Sequence, residues 1–553
     1  MQQKVAEYFD ISEKDYYTKY VRLIFFKQRG VSKMNENQLV APEIYNIVDE
    51  FEKHENKSSK TALVFLEENG HQEHYTYEEL LQRANQVANA FYAQGLKKGD
   101  VILIMLPRCL EAYISYIGAL KAGLVIIPSS ELLRAKDIDY RLNHSEAKAI
   151  IVMEQFVSEF EHVENLANVE CFIVGKEKEG WTSLMALAEQ QSNEFDSVET
   201  TANDLAFLAY TSGTTGNPKA VMHSHGWGYA HLRTTAAEWL GVRDGDTVWA
   251  TAAPGWQKWI WSPFLAVLGS GATGFVYKGK FDPIQFLHLI EQQQINVLCC
   301  TPTEYRMMAK LDQLNSFNLS SLRSAVSAGE PLNREVIETF EREHQLTVRD
   351  GYGQTENTLL IGTLLNMELR PGSMGKPTPG NIIDLINEDG DLVPAGEVGD
   401  IAVHKSTPAL FKGYYKDPER TAIQYRGDWY VTGDRAIKDE DGYFWFEGRN
   451  DDIIISSGYT IGPFEVEDAL TKHPAVQECA VVASPDEIRG NVVKAFVVLK
   501  DITLKDSPTI VEDLQNHVKQ LTAPYKYPRI IEFLDELPKT ISGKIRRVEL
   551  RVK

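Results

Sequence analysis

Leu80, Leu81, Ala84, Val87, Ala88 and Phe91 recur at the three- and four-residue spacing of one helix face. Thr76-Tyr77-Glu78-Glu79 stands just before them with the spacing of a capping box, so an amphipathic helix is expected to begin there. The pattern then changes period. Residues 101–106 are a short apolar strand, 111–122 a helix and 124–127 a second strand, the layout of a βαβ unit with parallel strands. Residues 150–153, 171–174 and 205–209 continue the alternation, which predicts a layered α/β domain.

From Asn381 to about Tyr443 the texture differs. Short strand-like pieces, 382–386 and 399–403, alternate with the turns Asn387-Glu388-Asp389-Gly390 and Asp439-Glu440-Asp441-Gly442, a small antiparallel β section. Beyond Gly448-Arg449-Asn450-Asp451-Asp452 a compact mixed pattern follows: helix 463–470, strands 478–482 and 492–499, helix 510–521 and strand 529–534. The expected fold class is α/β, a large N-terminal domain of several subdomains followed by a small mobile α+β domain. Residues 1–40 form an extension with no assigned role, 41–450 the large domain and 451–553 the small one, of about a hundred residues.

Length alone calls for more than one core, since the chain has 553 residues. With 57 basic against 78 acidic residues the formal charge is −21, which argues against a nucleic-acid footprint. Any polyanion must be met locally. Cys109, Cys171, Cys299, Cys300 and Cys479 are scattered without metal-ligand spacing, which fits a reduced, cytoplasmic setting. The N-terminus lacks a basic-then-apolar signal, and the longest apolar stretch is broken by Lys121, so neither secretion nor a membrane span is expected. Oligomeric state is not written in the sequence. The last thirty residues are basic, which is ordinarily a solvated surface but also suits a polyphosphate.

After the apolar run 205–209 comes Tyr210-Thr211-Ser212-Gly213-Thr214-Thr215-Gly216-Asn217-Pro218-Lys219. Its glycines let backbone N–H groups face an anion, its hydroxyls add donors and Lys219 adds a mobile charge. It is not the P-loop of ordinary nucleotide hydrolases, because Lys219 follows Pro218 and precedes Ala220 instead of a Ser or Thr. Further blocks follow in order: Gly329-Glu330-Pro331, Tyr352-Gly353-Gln354-Thr355-Glu356, Thr432-Gly433-Asp434, Gly448-Arg449-Asn450-Asp451-Asp452, Ser457-Gly458-Tyr459 and Pro538-Lys539-Thr540-Ile541-Ser542-Gly543-Lys544.

Together these blocks resemble the acyl-CoA synthetases of the adenylate-forming superfamily, over about Ala41 to Lys553, and are nearest to the medium-chain subgroup. The resemblance implies a carboxylic acid, ATP, Mg2+ and coenzyme A as ligands. Thr211, Ser212, Gly213, Thr214, Thr215, Gly216 and Lys219 would grip the β and γ phosphates. Gly329, Glu330 and Pro331 would line the base pocket with Tyr352, next to Gly353, Gln354 and Thr355. Glu356 would take magnesium, Asp434 both ribose hydroxyls, and Arg449 the ribose and phosphates. Lys544 would carry adenylation, Asp451 would be the hinge, and Ser457, Gly458 and Tyr459 would bind coenzyme A. One departure is Thr460, where relatives usually have arginine.

Acid choice falls to Trp256, Trp259 and Gly353, with the Thr301-Pro302-Thr303 turn and residues 326–328. The acetate-specific branch has tryptophan in place of Gly353, so a chain longer than acetate is expected: medium-chain, or branched short-chain or aromatic if the two tryptophans shorten the tunnel. Two alternatives remain beside the ligase, a stand-alone adenylation enzyme that loads a carrier protein and a non-enzymatic nucleotide-binding regulator.

Overall fold

The structure, a computed structural model, describes residues 36–551 apart from 165, 167, 212–217, 330–331, 450–451, 453, 457–458, 487–489, 523–524 and 540–544. Ser212, Gly213, Thr214, Thr215, Gly216, Glu330, Pro331, Asp451, Ser457, Gly458 and Lys544 therefore lie outside the described residues, and Tyr459 is described by its backbone alone.

The expected first helix is Tyr77–Ala93, and Thr76 and Glu79 form the reciprocal capping box. Its apolar stripe packs against the helix Leu110–Lys121, in which every residue but Glu111 is buried. A helix apolar all round must be covered on all sides, and this one lies between two sheets. Gly118 sits at the crossing: a Cβ there would lie 2.9 Å from the Ala84 carbonyl oxygen. Lys121, only 2% exposed, pairs its ammonium with Glu52 at the end of this helix.

The first sheet has seven strands in the order Thr182–Ser183, Glu170–Val174, Ala149–Met153, Val101–Met105, Val125–Pro128, Leu205–Thr211 and Lys219–Ser224. Val101–Met105 and Val125–Pro128 pair in parallel, as the βαβ pattern predicts. The second sheet has nine strands, in which Thr61–Leu66 pairs in parallel with Thr273–Tyr277 and the run Thr247–Ala250, Val297–Cys300, Ser324–Ala328 and Val348–Gly353 is also parallel. The local pattern did not foretell it, because its pairings join distant parts of the chain.

A five-stranded antiparallel sheet follows, built on Ile383–Ile386, Val398–His404, Trp429–Lys438 and Phe444–Arg449 with the short Tyr425–Arg426. The last unit has the strands Val476–Asp486, Gly490–Leu499 and Ile530–Phe533 packed on the helices Pro463–Thr471 and Ile510–Leu521. Its basic residues are engaged locally. Lys526, Lys539, Arg546, Arg547 and Arg551 pair with Glu465, Glu478, Glu549, Glu467 and Asp452. The Thr301-Pro302-Thr303 segment is a helix start, not a turn: Thr301 caps Pro302–Ala309 in a capping box with Glu304.

Candidate active site

Thr211, Gly329, Tyr352 and Gly353 lie at the carboxyl ends of strands, where open α/β sheets place ligands. Leu205–Thr211 ends at Thr211, and its return strand Lys219–Ser224 begins at Lys219, directly opposite in the antiparallel register. Ser324–Ala328 runs into Gly329, whose φ of +109° suits glycine. Val348–Gly353 ends with Tyr352 and Gly353. The antiparallel pairing with Leu359–Gly362 shifts register there, and a Cβ at Gly353 would lie 2.2 Å from the Thr358 carbonyl oxygen. Glycine is thus a packing requirement at this bulge, beyond any effect on tunnel depth.

Period two on Trp429–Lys438 puts Thr432 and Asp434 on the same buried face. Asp434, 5% exposed, accepts a hydrogen bond at 2.6 Å from the Tyr352 phenol and another at 2.6 Å from Gln354 Nε2. Gln354 Nε2 also donates to the Thr432 carbonyl at 3.0 Å. Burial first, and then the Asp434 charge, hold the Tyr352 phenol far above its ordinary pKa, so it stays a donor. Arg449 stands opposite Asp434 on the paired strand.

A second network reaches the phosphate loop. The buried Tyr414 hydroxyl donates to Glu356 Oε1 at 2.9 Å and accepts from Lys219 Nζ at 3.3 Å. Burial lowers the Lys219 pKa, the Glu356 carboxylate opposes that, and Arg420 and Arg449 add to it, so three cations lie within electrostatic reach of one another. A cavity of about 250 Å³ opens beside them, lined by His144, Lys219, Tyr414, Asp417 and Arg420 among others. Such a group of cations with two acids, Glu356 and Asp417, suits a polyphosphate and a magnesium ion, which takes few carboxylates and fills its shell with phosphate oxygens. Tyr414 was missed in the sequence; its Gly413-Tyr414-Tyr415 setting carries no signal of its own.

Behind the Gln354–Thr358 segment stands a buried wall. His223 contacts the Thr355 carbonyl through Nε2 at 2.6 Å, Trp227 Nε1 donates to the Asn357 carbonyl at 3.0 Å, and His231 Nδ1 meets Thr358 Oγ1 at 2.5 Å. Their rings run in series, with centroids 4.4 Å and 5.3 Å apart. Burial lowers His223 to about 3 and His231 to about 4, and neighbouring His225 to about 4, so all three are neutral in the fold. The four-residue spacing of His223, Trp227 and His231 was the signal available in the sequence.

On the acyl side the expected trio is not gathered round one cavity. Trp259 is 1% exposed, stacked on Phe264 at 5.2 Å and edge-on to Tyr113 and Tyr116. It lines a cavity of about 270 Å³ with Arg108, Tyr113, Thr251 and Glu304, to which neither Trp256 nor Gly353 contributes. Trp256 instead caps the short helix Gln257–Trp259.

Two parallel-rich sheets, an antiparallel sheet that holds Asp434 against Tyr352 and Gln354, the cations Lys219, Arg420 and Arg449 near Glu356, and a smaller α+β unit beyond them are the frame of an AMP-binding enzyme. The family model described as AMP-binding enzyme matches residues 51–415, and that of the AMP-binding enzyme C-terminal domain matches 465–544. An acyl-CoA ligase of Bacillus subtilis, YtcI, described as uncharacterized, is 59% identical over 94% of this chain and 98% of its own length. The mitochondrial acyl-coenzyme A synthetase ACSM3 of Rattus norvegicus is 40% identical over 94% of this chain and 93% of its own. The crystal structure of the anthranilate CoA ligase AuaEII with anthranoyl-AMP superposes with a TM-score of 0.86 at 31% identity, over 93% of this chain and 98% of that one. The chain belongs to the AMP-binding enzyme family, as an AMP-forming acyl-CoA ligase. Among the described residues no helix is long and apolar enough to cross a membrane.

Proposed function

We propose that the chain joins a medium-chain or branched short-chain carboxylic acid to coenzyme A in two steps within the cytoplasm. In the first, an acid oxygen attacks the α-phosphorus of ATP and pyrophosphate leaves; in the second, the thiol of coenzyme A attacks the acyl carbonyl, loses its proton and releases AMP. The observation that carries this reading is the Tyr352–Asp434–Gln354 network beside the Lys219–Tyr414–Glu356 relay. Asp434, an acceptor held by two donors, suits the ribose hydroxyls, and Gly329 and Tyr352 the adenine. Lys219, Arg420 and Arg449 suit the phosphates. Glu356 would hold Mg2+, which when bound neutralises phosphate charge.

Lys544 is the cation proposed to draw the acid and α-phosphate together, from a small domain, 451–553, that turns about Asp451 and then presents Ser457, Gly458 and Tyr459 to coenzyme A. The motif resemblance to the medium-chain subgroup supports the medium-chain choice. Each methylene buried adds about 0.8 kcal/mol, so tunnel depth sets chain length.

The test separates the half-reactions. Lys544→Ala is expected to lower acid-dependent exchange of pyrophosphate into ATP about 10³-fold while thioester formation from supplied acyl-AMP stays within a few-fold. Equal loss of both contradicts the lysine's role. Product formation with a holo carrier protein but not with free coenzyme A contradicts the acceptor.

A further inference from the structure

The segment 254–259 bridges the carboxyl ends of the two large sheets. On one side Gly255, at φ +91°, lies against the residues that follow Val125–Pro128: a Cβ there would come within 2.4 Å of Ser130 N. On the other, Lys258 Nζ donates at 2.6 Å to the carbonyl of Ala328, the last residue before Gly329. The backbone between these anchors is held at both ends.

Its two polar side chains are matched by the protein only in part. Both amide atoms of Gln257, Oε1 and Nε2, are buried with no protein hydrogen-bond partner. Lys258 is half-buried, and among the described residues no carboxylate pairs with it. A buried amide left unpaired costs about 1–3 kcal/mol, and the buried carboxyl of Asp350 acts on the Lys258 ammonium only through space, with no ion pair between them. An all-hydrocarbon acyl tail offers neither group a partner. Two such groups on adjacent residues offer donors and an acceptor whose complement is oxygen.

We propose that Gln257 and Lys258 are a polar subsite of the acyl pocket and that the preferred acid carries an oxygen function, hydroxyl or carboxylate, beyond its α-carbon. The proposal rests on the acid:coenzyme A ligase reading and narrows its substrate class. A hydroxyl both donates to Gln257 Oε1 and accepts from Nε2 or the ammonium; a carboxylate accepts from both side chains and supplies a directly paired counter-charge.

The experiment measures acyl-CoA formation by the full chain with matched acids: butyrate against 4-hydroxybutyrate and succinate, and hexanoate against 6-hydroxyhexanoate and adipate. In each set one oxygenated acid is expected to exceed the plain acid at least about tenfold in kcat/KM, as sites built around a hydrogen bond reject analogues that lack it. The hydroxyl and carboxylate arms identify which function is meant. Gln257→Leu and Lys258→Met are expected to shrink that ratio to about threefold or less through KM for the oxygenated acid, with kcat changed only a few-fold, and Lys258→Met to act most on the dicarboxylic arm.

A wild-type ratio at or below one overturns the subsite whether or not either variant folds. Unchanged ratios in both folded variants overturn the assignment to these residues. Thioester from no acid in the panel overturns the ligase reading and the subsite with it, whereas thioester without discrimination overturns the subsite alone.

Discussion

On the proposed nucleotide side of the cleft the described side chains Asp434 and Glu356 are anchored before any ligand arrives. Asp434 is held by Tyr352 and Gln354, Glu356 by Tyr414, and the 354–358 segment by His223, Trp227 and His231. Atoms left over there, such as Gln354 Oε1 and His223 Nδ1, belong to side chains already fixed at their other end. On the acyl side the Gln257 amide has no protein partner at either end, and Lys258 is held by one carbonyl. The difference follows from what each half must do. A cosubstrate common to the whole family is best met by groups preorganised at no cost on binding, whereas a variable acid is chosen by groups whose partners arrive with it.

The contrast can be broken most strongly by acid. His223, His225 and His231 have folded pKa values of about 3, 4 and 4, below the ordinary 6.5, so the unfolded chain takes up protons first as pH falls. Their stability contribution is complete above pH 6.5 and is lost as pH drops from there towards 4. Each accounts for up to about 1.4 kcal/mol per pH unit in that window. Thermal unfolding between pH 7 and 4.5 checks this: Tm should fall steeply below pH 6.5, and the steepness should lessen in His231→Gln. A flat profile would contradict a neutral wall.

Next in size is Asp434→Ala. Removing the acceptor at the centre of the nucleotide network is expected to cut kcat/KM for ATP about 10²-fold and to leave the ranking of acids unchanged. A change in acid ranking would dissolve the distinction between the two sides. Smaller is Tyr414→Phe, which takes out the hydroxyl joining Lys219 to Glu356 and should lower kcat about tenfold, near the worth of one hydrogen bond to a charged group. Initial rates across Mg2+ concentrations check it, since a disturbed Glu356 should also raise the concentration needed for half activity.

How much of this could be read from the chain depends on the range of the interaction. Tyr77–Ala93, Leu110–Lys121 and the Val101–Val125 pairing were legible because helix caps and periodicity are local. The nine-stranded sheet was not, since Leu63 pairs with Gly274, far along the chain. Asp434, Tyr352 and Glu356 stood out as motif letters, but the Tyr414 link between Lys219 and Glu356 exists only after folding. Gln257 and Lys258, between Trp256 and Trp259, carry no motif signal, and the unpaired Gln257 amide and the Lys258 bond to the Ala328 carbonyl exist only after folding. Gly353 was legible as a glycine, but the Thr358 carbonyl that explains it meets it only where the chain folds back to pair Leu359 with Gly353.

The central claim is that this chain activates an acid as its adenylate before any thiol is engaged. Exchange of labelled pyrophosphate into ATP by the purified full-length protein, with acid present and coenzyme A omitted, tests it most directly. The account predicts exchange that depends on acid and Mg2+ and gives way to net acyl-CoA and AMP formation once coenzyme A is added. Exchange that is absent, or that proceeds equally without acid, would contradict it.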